Sequence, residues 1–499
     1  MSAVASSWPP EQSVRQVLRS PRLLRTEVLA GLVVALALIP EALSFSILAG
    51  VDPQVGLFAS FTTAVTIAIV GGRPAMISAA AGSVALVIAP VMRDHGFDYF
   101  IATVLLGGLI QVVLAVLGVA RLMRFIPRSV MVGFVNALAI LIFSAQLPHL
   151  IGVPWLVYPM VAVGIAVIVV LPRFTRAVPS PLVAIALLTG AVVLIGWDLP
   201  NVGDEGELPH GLPSLFLPDV PLDLDTLRII APYALAMALV GLLESLLTAK
   251  LVDDITDTHS DKTRESWGQG VANLVTGCFG GIGGCAMIGQ TMINVKVSGA
   301  RTRISTFLAG VFLLILVVGL GDVVAQIPMA ALVAVMTMVA VATFDWHSLR
   351  TLRRMPRSET TVMLATVVVV VATENLAIGV VVGVLVASVL FARRVAHLAN
   401  VQREVVEDED GAKAVYTVTG ELFFASSNDL YSQFSYAEDP ARVELDLSAS
   451  HIWDASTVAA LDSVTDKYAH RGTTVDIHGL NPESEAMYRR LAGRLAGEG

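Results

Sequence analysis

The sequence predicts a polytopic α-helical membrane domain of fourteen transmembrane segments, arranged as two inverted repeats of seven and followed by a small α/β domain. Three observations predict this fold class. The 499-residue chain is 55% hydrophobic and only 15% charged, a balance that ordinary soluble domains do not show. Fourteen apolar runs follow one another between residues 27 and 392. The segment 403–499 instead carries 18 acidic and 8 basic residues, so the chain's net charge of −9 resides there.

Each apolar run is interpreted as a membrane span, because a bilayer crossing needs about 20 apolar residues. Some of the runs are short. They lie near residues 27–49, 55–70, 75–92, 98–120, 129–147, 153–171, 179–197, 229–250, 266–280, 284–298, 304–321, 326–344, 359–374 and 376–392.

The charges between the runs predict the orientation of the chain. Short cytoplasmic loops are enriched in Lys and Arg, and the longest predicted outer loop, 198–225, has seven acidic residues and no Lys or Arg. We therefore expect a bacterial inner-membrane protein with both termini, including segment 1–26, in the cytoplasm. With this orientation every basic cluster falls inside: Arg73; Arg121, Arg124 and Arg128; Arg173 and Arg176; Lys250, Lys262 and Arg264; Lys296, Arg301 and Arg303; Arg350, Arg353, Arg354 and Arg357; Arg393 and Arg394.

Two correspondences between residues 27–197 and 229–394 predict the repeat. Seven is an odd number, so equivalent spans of the two halves run in opposite directions, as an inverted repeat requires. The opening span of each half carries one acid in an apolar run, Glu41 and Glu244. The third span of each half is short and rich in small residues: GGRPAMISAAAGSVALVIAP and GGIGGCAMIGQTMIN.

These small-residue segments predict two broken helices whose N-termini lie near the middle of the membrane. A helix N-terminus presents unpaired N–H groups and partial positive charge, so two facing ends predict an anion site without a basic side chain. Pro40 is expected to break the first helix beside Glu41. Close helix packing is the alternative explanation. The predicted substrate-binding residues are Glu41, Phe45, Ala80, Ala81, Gly82, Ser83, Met287, Ile288, Gly289 and Gln290, and the predicted ion-coupling residues are Glu41 and Glu244.

Several motifs resemble the SulP anion permeases, the sulfate permease family that includes the solute carrier 26 proteins of animals. RFIPRSVMVGFVNALAILIFSAQLPHLIG looks like the fifth span of that family. LVGLLESLLTAKLVDDITDTHSDKTRESWGQGVANLVTGCFGGIGG and NVKVSGARTR are similar to its eighth to tenth spans. The resemblance implies a UraA-like arrangement of seven-plus-seven inverted repeats, a core domain that moves against a gate domain, and a homodimer.

The chain departs from the pattern of that family at two positions. Glu41 stands where the family commonly has Gln, and Gln290 stands where it often has Arg. The predicted site is thus more acidic, which favours an accompanying proton because burial keeps a carboxylic acid neutral. We expect proton-coupled symport of a carboxylate or dicarboxylate. Sulfate or bicarbonate transport, chloride exchange or a channel, and sodium coupling at Glu244 are the alternatives.

The segment 400–499 resembles the STAS domain, most clearly at LDLSASHIWDASTVAAL. We expect strands at AVYTVTG, ELFFA, RVELDLS and TTVDIHG, and helices at SSNDLYSQF, DASTVAALDSVTDKYAH and NPESEAMYRRLAGRL. In the anti-sigma-factor antagonists that share this domain, a Ser two residues after the Asp is phosphorylated, and Ser456 after Asp454 matches it. Ordinary N-capping of the helix is the competing explanation.

Other classes of protein are disfavoured. The GGIGG run lacks the Lys-Ser/Thr of a phosphate-binding loop, and neither zinc spacing nor a nucleophile elbow is present, so we predict no enzyme, cofactor or metal. No basic patch with interleaved aromatic residues predicts nucleic-acid binding. The expected partners are a small anion, a coupling proton or sodium ion and the lipid bilayer. A nucleobase permease and an anion sensor that signals through the tail are the remaining alternatives.

Overall fold

The structure is a computed structural model that describes residues 13–118, 121, 126–174, 179–208, 211–221, 223–352, 354–373, 375–396, 400–408 and 411–493. The chain forms two compact units, Met1–Val384 and Leu385–Gly499.

Among the residues that the structure describes, the first half of the large unit contains eight α-helices and one short strand. Long apolar sequences form the helices, and glycine or proline stands at several of their ends. The elements are α1 (Val14–Arg19), α2 (Pro21–Ala49), α3 (Pro53–Val70), β1 (Ser78–Ala80), α4 (Gly82–His95), α5 (Phe97–Val116), α6 (Arg128–Ser144), α7 (Val157–Val170) and α8 (Ser180–Ile195).

The second half repeats this order from α2 onward: two long helices, a three-residue strand, a short helix and then further helices. A π-helical turn, Ile293–Val297, continues the short helix α11. The elements are α9 (Leu224–Thr256), α10 (Lys262–Cys278), β2 (Gly284–Ala286), α11 (Ile288–Met292), α12 (Arg303–Gly319), α13 (Gly321–Ala325), α14 (Met329–Thr343), α15 (Trp346–Thr351), α16 (Arg357–Thr373) and α17 (Leu376–Ala396).

The chain is a multi-pass membrane protein. Within the described residues, six helical segments are long and apolar enough to cross a bilayer, and four shorter ones are also apolar. Each of the fourteen runs predicted from the sequence contains helical residues. The positions of the long apolar helices therefore follow from hydrophobicity.

The prediction that Pro40 breaks the first helix is wrong. The helix α2 continues from Pro21 to Ala49 with Pro40 in its interior. Proline removes only its own N–H donor, and neighbouring helices and hydroxyl groups in a membrane domain satisfy the freed backbone groups. The hydroxyl of Ser44 donates to the carbonyl oxygen of Pro40 at 2.8 Å, one turn further along the helix.

The strands β1 and β2 join the two halves of the large unit. They pair antiparallel, with Ser78 opposite Ala286 and Ala80 opposite Gly284. Asn273 in α10 holds this pair in place, because its side chain accepts from the N–H of Gly284 at 2.7 Å and donates to the carbonyl of Gly284 at 3.0 Å. The short helices α4 and α11 follow these strands directly and therefore begin at opposite ends of the strand pair.

Helices of the two halves also interlock around this strand pair. The helix α5 packs against α9 and α10, and α12 packs against α2 and α3. A buried carboxylate fixes one of these junctions: Glu27 of α2 accepts from the N–H groups of Arg301, Thr302 and Ser305 at 2.8 to 3.0 Å. Glu27 therefore supplies acceptors at the N-terminus of α12, where helices leave backbone donors unpaired.

The small unit contains a four-stranded sheet in the order β3-β4-β5-β6, antiparallel at its first pair and parallel at the other two. Helices follow the strands as expected for an α/β domain. The elements are β3 (Asn400–Asp408), β4 (Gly411–Leu422), α18 (Phe424–Leu430), β5 (Arg442–Ile452), α19 (Ala455–Ala469), β6 (Thr474–His478) and α20 (Pro482–Leu491).

Two predictions for the small unit need correction. The segment ELFFA is not a separate strand: Glu421 and Leu422 end β4, and Phe424 begins α18. The strand β3 was not predicted. Its sequence NVQREVVED has six charged or polar residues among nine and no apolar alternation, and the strand exists because β4 pairs with it along its whole length.

A buried carboxylate organises the core of the small unit. The side chain of Asp439 is fully buried and accepts from the hydroxyl groups of Tyr416 and Tyr468 and from Nε of Arg403. Burial and the bond to Asp439 raise the pKa of Tyr468, since both favour the neutral phenol. The hydroxyl of Tyr468 therefore remains a donor to Asp439 throughout the physiological pH range.

Candidate functional site

A cavity of about 450 Å³ lies where the two halves of the large unit meet. Its polar end is formed by α2, α9 and the first turns of α4 and α11. Its opposite wall is apolar. The lining residues are Glu41, Phe45, Gly82, Ser83, Phe134, Val135, Leu138, Ile142, Ile168, Pro181, Glu244, Leu247, Met287, Ile288, Gly289, Gln290, Ile293, Val335, Met338, Val339, Ala342 and Thr343.

The first turns of α4 and α11 present backbone N–H groups at this cavity. The first bond inside α4 runs from the N–H of Ala85 to the carbonyl of Ala81, and the first inside α11 runs from Thr291 to Met287. At these described positions neither helix start has a side-chain cap. The N–H groups that precede the first intrahelical bond are the donors that can bind an anion.

The cavity brings together the two acids that the repeat singles out. Glu41 and Glu244 both line it. The carboxyl group of Glu41 interacts with the side chain of Gln290 on α11. One carboxylate oxygen of Glu244 accepts from the hydroxyl of Ser83 on α4 and from the thiol of Cys285 at 3.2 Å.

Glu244 is 8% exposed, and its partners are the hydroxyl of Ser83 and the thiol of Cys285. Cys285 is fully buried and uses its S–H as a donor, so it is more than a small apolar side chain.

Eight of the ten predicted substrate-binding residues line the cavity, and two lie behind its wall. Ala80 and Ala81 are almost completely buried, because Ala80 pairs with Gly284 in the strands and Ala81 is the residue before α4. Their small side chains allow the two backbones to approach each other. The eight that line it are Glu41, Phe45, Gly82, Ser83, Met287, Ile288, Gly289 and Gln290.

Two glycines at the cavity have different surroundings. A Cβ atom added to Gly82 would lie 2.6 Å from Cε1 of Phe45, so the ring packs directly on the first turn of α4. A Cβ atom added to Gly289 would meet no atom within 4 Å. Glycine at position 82 thus makes room for Phe45, whereas glycine at position 289 leaves space inside the cavity.

The apolar wall was not predicted from the sequence. It comes mainly from α6 and α14, through residues such as Leu138 and Val339. Apolar side chains face the lipid as well as this cavity, so hydrophobicity does not show which of them line the cavity. The repeat itself supplies one, because α6 and α14 occupy the fifth predicted span of each half.

The two ends of α14 line different spaces. Ala342 and Thr343, at the C-terminal end of α14, line the large cavity. Met329 and Leu332, at the other end, line a separate space of about 10 Å³ with Gln146 and His149. The space at this second end is thus much smaller than the large cavity.

Ser456 lies in the small unit, exposed on the first turn of α19. It does not cap this helix. Asp454 does so, accepting from the N–H and the hydroxyl of Thr457, each at 3.0 Å. N-capping therefore accounts for Asp454 at this position, but it assigns no structural role to Ser456.

Comparisons with known proteins agree with this architecture. A profile of the sulfate permease family matches residues 24–162 and 155–366, and a STAS-domain profile matches residues 402–492. The chain is 53% identical to the Bacillus subtilis protein YbaR, which is named as a sulfate transporter, over 94% of this chain and 97% of YbaR.

Two solved structures have the same fold. The transmembrane domain of a cyanobacterial bicarbonate transporter, BicA, superposes with a TM-score of 0.64 at 26% identity, covering 74% of this chain and 98% of that one. The murine Slc26a9 anion transporter superposes with a TM-score of 0.80 at 15% identity, covering 98% and 92%. The chain therefore belongs to the sulfate permease family of anion transporters and carries a STAS domain at its C-terminus.

Proposed function

We propose that this chain takes up a small carboxylate or dicarboxylate together with a proton, by alternating access across the bacterial inner membrane. The observation that carries the proposal is the placement of Glu41 and Glu244 in one cavity with the first turns of α4 and α11. None of the described residues that line this cavity is Lys, Arg or His. The site therefore offers donors from the backbone and negative charge from side chains.

The backbone donors favour an anion of small size. Two helix starts provide several N–H groups and partial positive charge, which suit the oxygens of a carboxylate. The apolar wall formed by α6 and α14 suits a ligand with a carbon skeleton better than a fully polar one. This second feature favours a carboxylate over sulfate.

The two acids favour an accompanying proton. An ionised Glu41 beside the anion would repel it, and this repulsion is strong in a cavity shielded from water. Protonation of Glu41 removes the repulsion, so anion and proton bind best together. Release of both to the same side follows when the proton leaves.

The shape of the cavity supports alternating access. In the predicted orientation, Ala342 and Thr343 lie at the cytoplasmic end of α14, and the end near Met329, with its much smaller space, lies outside. The structure then corresponds to an inward-facing state. Both termini are cytoplasmic in this orientation, and the homodimer implied by the family stays a prediction.

Uptake into proteoliposomes tests the proposal. The panel is labelled sulfate, bicarbonate, chloride, oxalate, succinate and fumarate, each with and without imposed proton and sodium gradients. We expect a carboxylate to be accumulated fastest when the outside is acidic, and we expect Glu41→Gln to lose most of the dependence of uptake on the proton gradient. Glu359→Gln is the matched control, because Glu359 is exposed in the first turn of α16. Uptake unaffected by a pH gradient, in wild type and Glu41→Gln alike, contradicts the proposal.

A second candidate is sulfate or bicarbonate transport. The names of YbaR and BicA favour it. In this case the same panel shows sulfate or bicarbonate accumulated fastest. Sodium coupling at Glu244 is recognised in the same assay by uptake that follows the sodium gradient and is lost in Glu244→Gln.

A further inference from the structure

The two acids of the cavity are bound by the opposite half of the repeat. Glu244, in α9 of the second half, accepts from Ser83 on the first turn of α4 in the first half. Glu41, in α2 of the first half, interacts with Gln290 on the first turn of α11 in the second half. Each acid therefore interacts with a polar side chain in the first turn of a helix, where an anion would bind.

Of these two polar side chains, Ser83 has the better defined surroundings. It is the second residue of α4, it lines the cavity, and it is 2% exposed. Its hydroxyl donates to the same oxygen of Glu244 that accepts from Cys285, and the Ser83 oxygen and Cys285 sulfur are 3.8 Å apart. Ser83 and Glu244 thus share a hydrogen bond, and both residues line the cavity.

A serine hydroxyl has a single proton to donate. A carboxylate is a strong acceptor, and hydrogen bonds to ionised groups are roughly twice as strong as those between neutral groups. An ionised Glu244 therefore holds the proton of Ser83. Protonation of Glu244 weakens that bond, and the hydroxyl of Ser83 can then donate to an anion in the cavity.

We propose that Ser83 couples the protonation of Glu244 to anion binding, as a donor that either the carboxylate or the substrate can use. The inference rests on the proposed function, because it assumes that the cavity binds the anion. It assigns to Ser83 a positioning role that depends on the charge of Glu244. Coupling by this route differs from the relief of repulsion at Glu41, since it acts through one hydrogen bond.

Few other groups near Glu244 can titrate. Among the described elements packed against α9, β2 supplies the thiol of Cys285, α4 the hydroxyl of Ser83, α11 the amide of Gln290, and α5 and α10 the amides of Gln111 and Asn273. Across the cavity, α2 supplies Glu41. A pH effect that requires both Ser83 and Glu244 can therefore be separated from one that requires Glu41.

A double-mutant cycle tests the coupling. Binding of labelled succinate and of labelled sulfate is measured on the full chain in detergent between pH 5.5 and 7.5, for wild type, Ser83→Ala, Glu244→Gln and the double variant. Glu244→Gln, which imitates the neutral acid, is expected to tighten binding at pH 7.5 by about tenfold, the effect of one charge-assisted bond. In the Ser83→Ala background the same change is expected to have little effect.

Two further variants complete the test. Ser83→Cys keeps a weak donor and is expected to give intermediate coupling. Ser266→Ala is the matched control, because Ser266 is buried in α10, bonds the carbonyl of Lys262 in its own helix and does not line the cavity. It should leave the pH dependence as in wild type.

The outcomes separate this inference from the proposed function. An equal gain from Glu244→Gln with and without the Ser83 hydroxyl overturns the inference while leaving proton-coupled uptake intact. Failure of wild type to bind either anion at any pH overturns the proposed site, and the inference with it. A smaller pH dependence in Ser83→Ala than in wild type, with affinity near the wild-type value at pH 7.5, supports the coupling, and the pH dependence that remains is that of Glu41.

Discussion

At the scale of single residues, two glycines at the cavity matter because they have no side chain. Gly82 has no Cβ, and the ring of Phe45 occupies the place where one would be. Gly289 has no Cβ either, but the corresponding space is open and belongs to the cavity. The two glycines therefore predict opposite effects of the same substitution.

Gly82→Ala is expected to lower both stability and anion affinity. The new methyl group would displace Phe45, and overpacking of this kind costs about 1–3 kcal/mol. Gly289→Ala is expected to keep or raise stability, because alanine in a helix is favoured over glycine by about 0.5–1 kcal/mol. It should nevertheless reduce uptake, and more for larger anions than for smaller ones.

Thermal unfolding in detergent and uptake by proteoliposomes, measured on both variants, check this pair. Each variant is the control for the other, since the chemical change is the same. Unchanged uptake in Gly289→Ala would show that the anion does not use the space beside α11.

At the scale of elements, the junction between α2 and α12 depends on one carboxylate. Glu27 is 2% exposed and accepts from three backbone N–H groups at the start of α12. Glu27→Ala should lower the free energy of unfolding by about 3 kcal/mol, because it leaves several buried donors unpaired. Glu27→Gln keeps one acceptor and should have a smaller effect.

Reversible denaturation in mixed micelles measures these differences. Glu359→Ala is the control, because it removes an exposed glutamate from the first turn of α16 and should change stability by less than about 0.5 kcal/mol. Equal losses in Glu27→Ala and Glu359→Ala would show that the buried carboxylate does not stabilise the junction.

The elements that could be predicted from the sequence are those with a local cause. The helices α2 and α9 follow from long apolar runs, and Glu41 and Glu244 are conspicuous because each is an acid inside such a run. The strand β1 has no local cause. It consists of one serine and two alanines, and it forms only because β2, about 200 residues further along the chain, pairs with it.

The continuity of α2 through Pro40 could not be predicted for a related reason. Proline usually ends or bends a helix in water, whereas α2 continues through Pro40 within a set of packed helices. The bond between Ser83 and Glu244 is a tertiary contact as well, between residues 161 positions apart. The local sequence pattern can identify such residues as candidates, but it does not predict that they contact each other.

At the scale of the whole molecule, every residue that lines the cavity lies in the unit Met1–Val384. The unit has its own hydrophobic core, and the small unit has another around Tyr416 and Tyr468. We expect a chain that lacks residues 400–499 to retain measurable uptake per inserted molecule. An anion sensor that signals through the tail would show no uptake in either form.

Uptake is normalised to the amount of folded protein, determined by size-exclusion chromatography, so that poor insertion is not mistaken for lost transport. Ser456→Ala and Ser456→Asp in the full chain provide the matched comparison for regulation through the tail. Complete loss of uptake in a truncated protein that remains folded would assign the tail a direct part in transport.

The pairing of β1 with β2 makes the two repeats depend on each other. A three-residue strand of small side chains cannot be stable without its partner, and that partner belongs to the other repeat. The two repeats therefore resemble the subunits of an obligate dimer joined in a single polypeptide, since neither is complete alone.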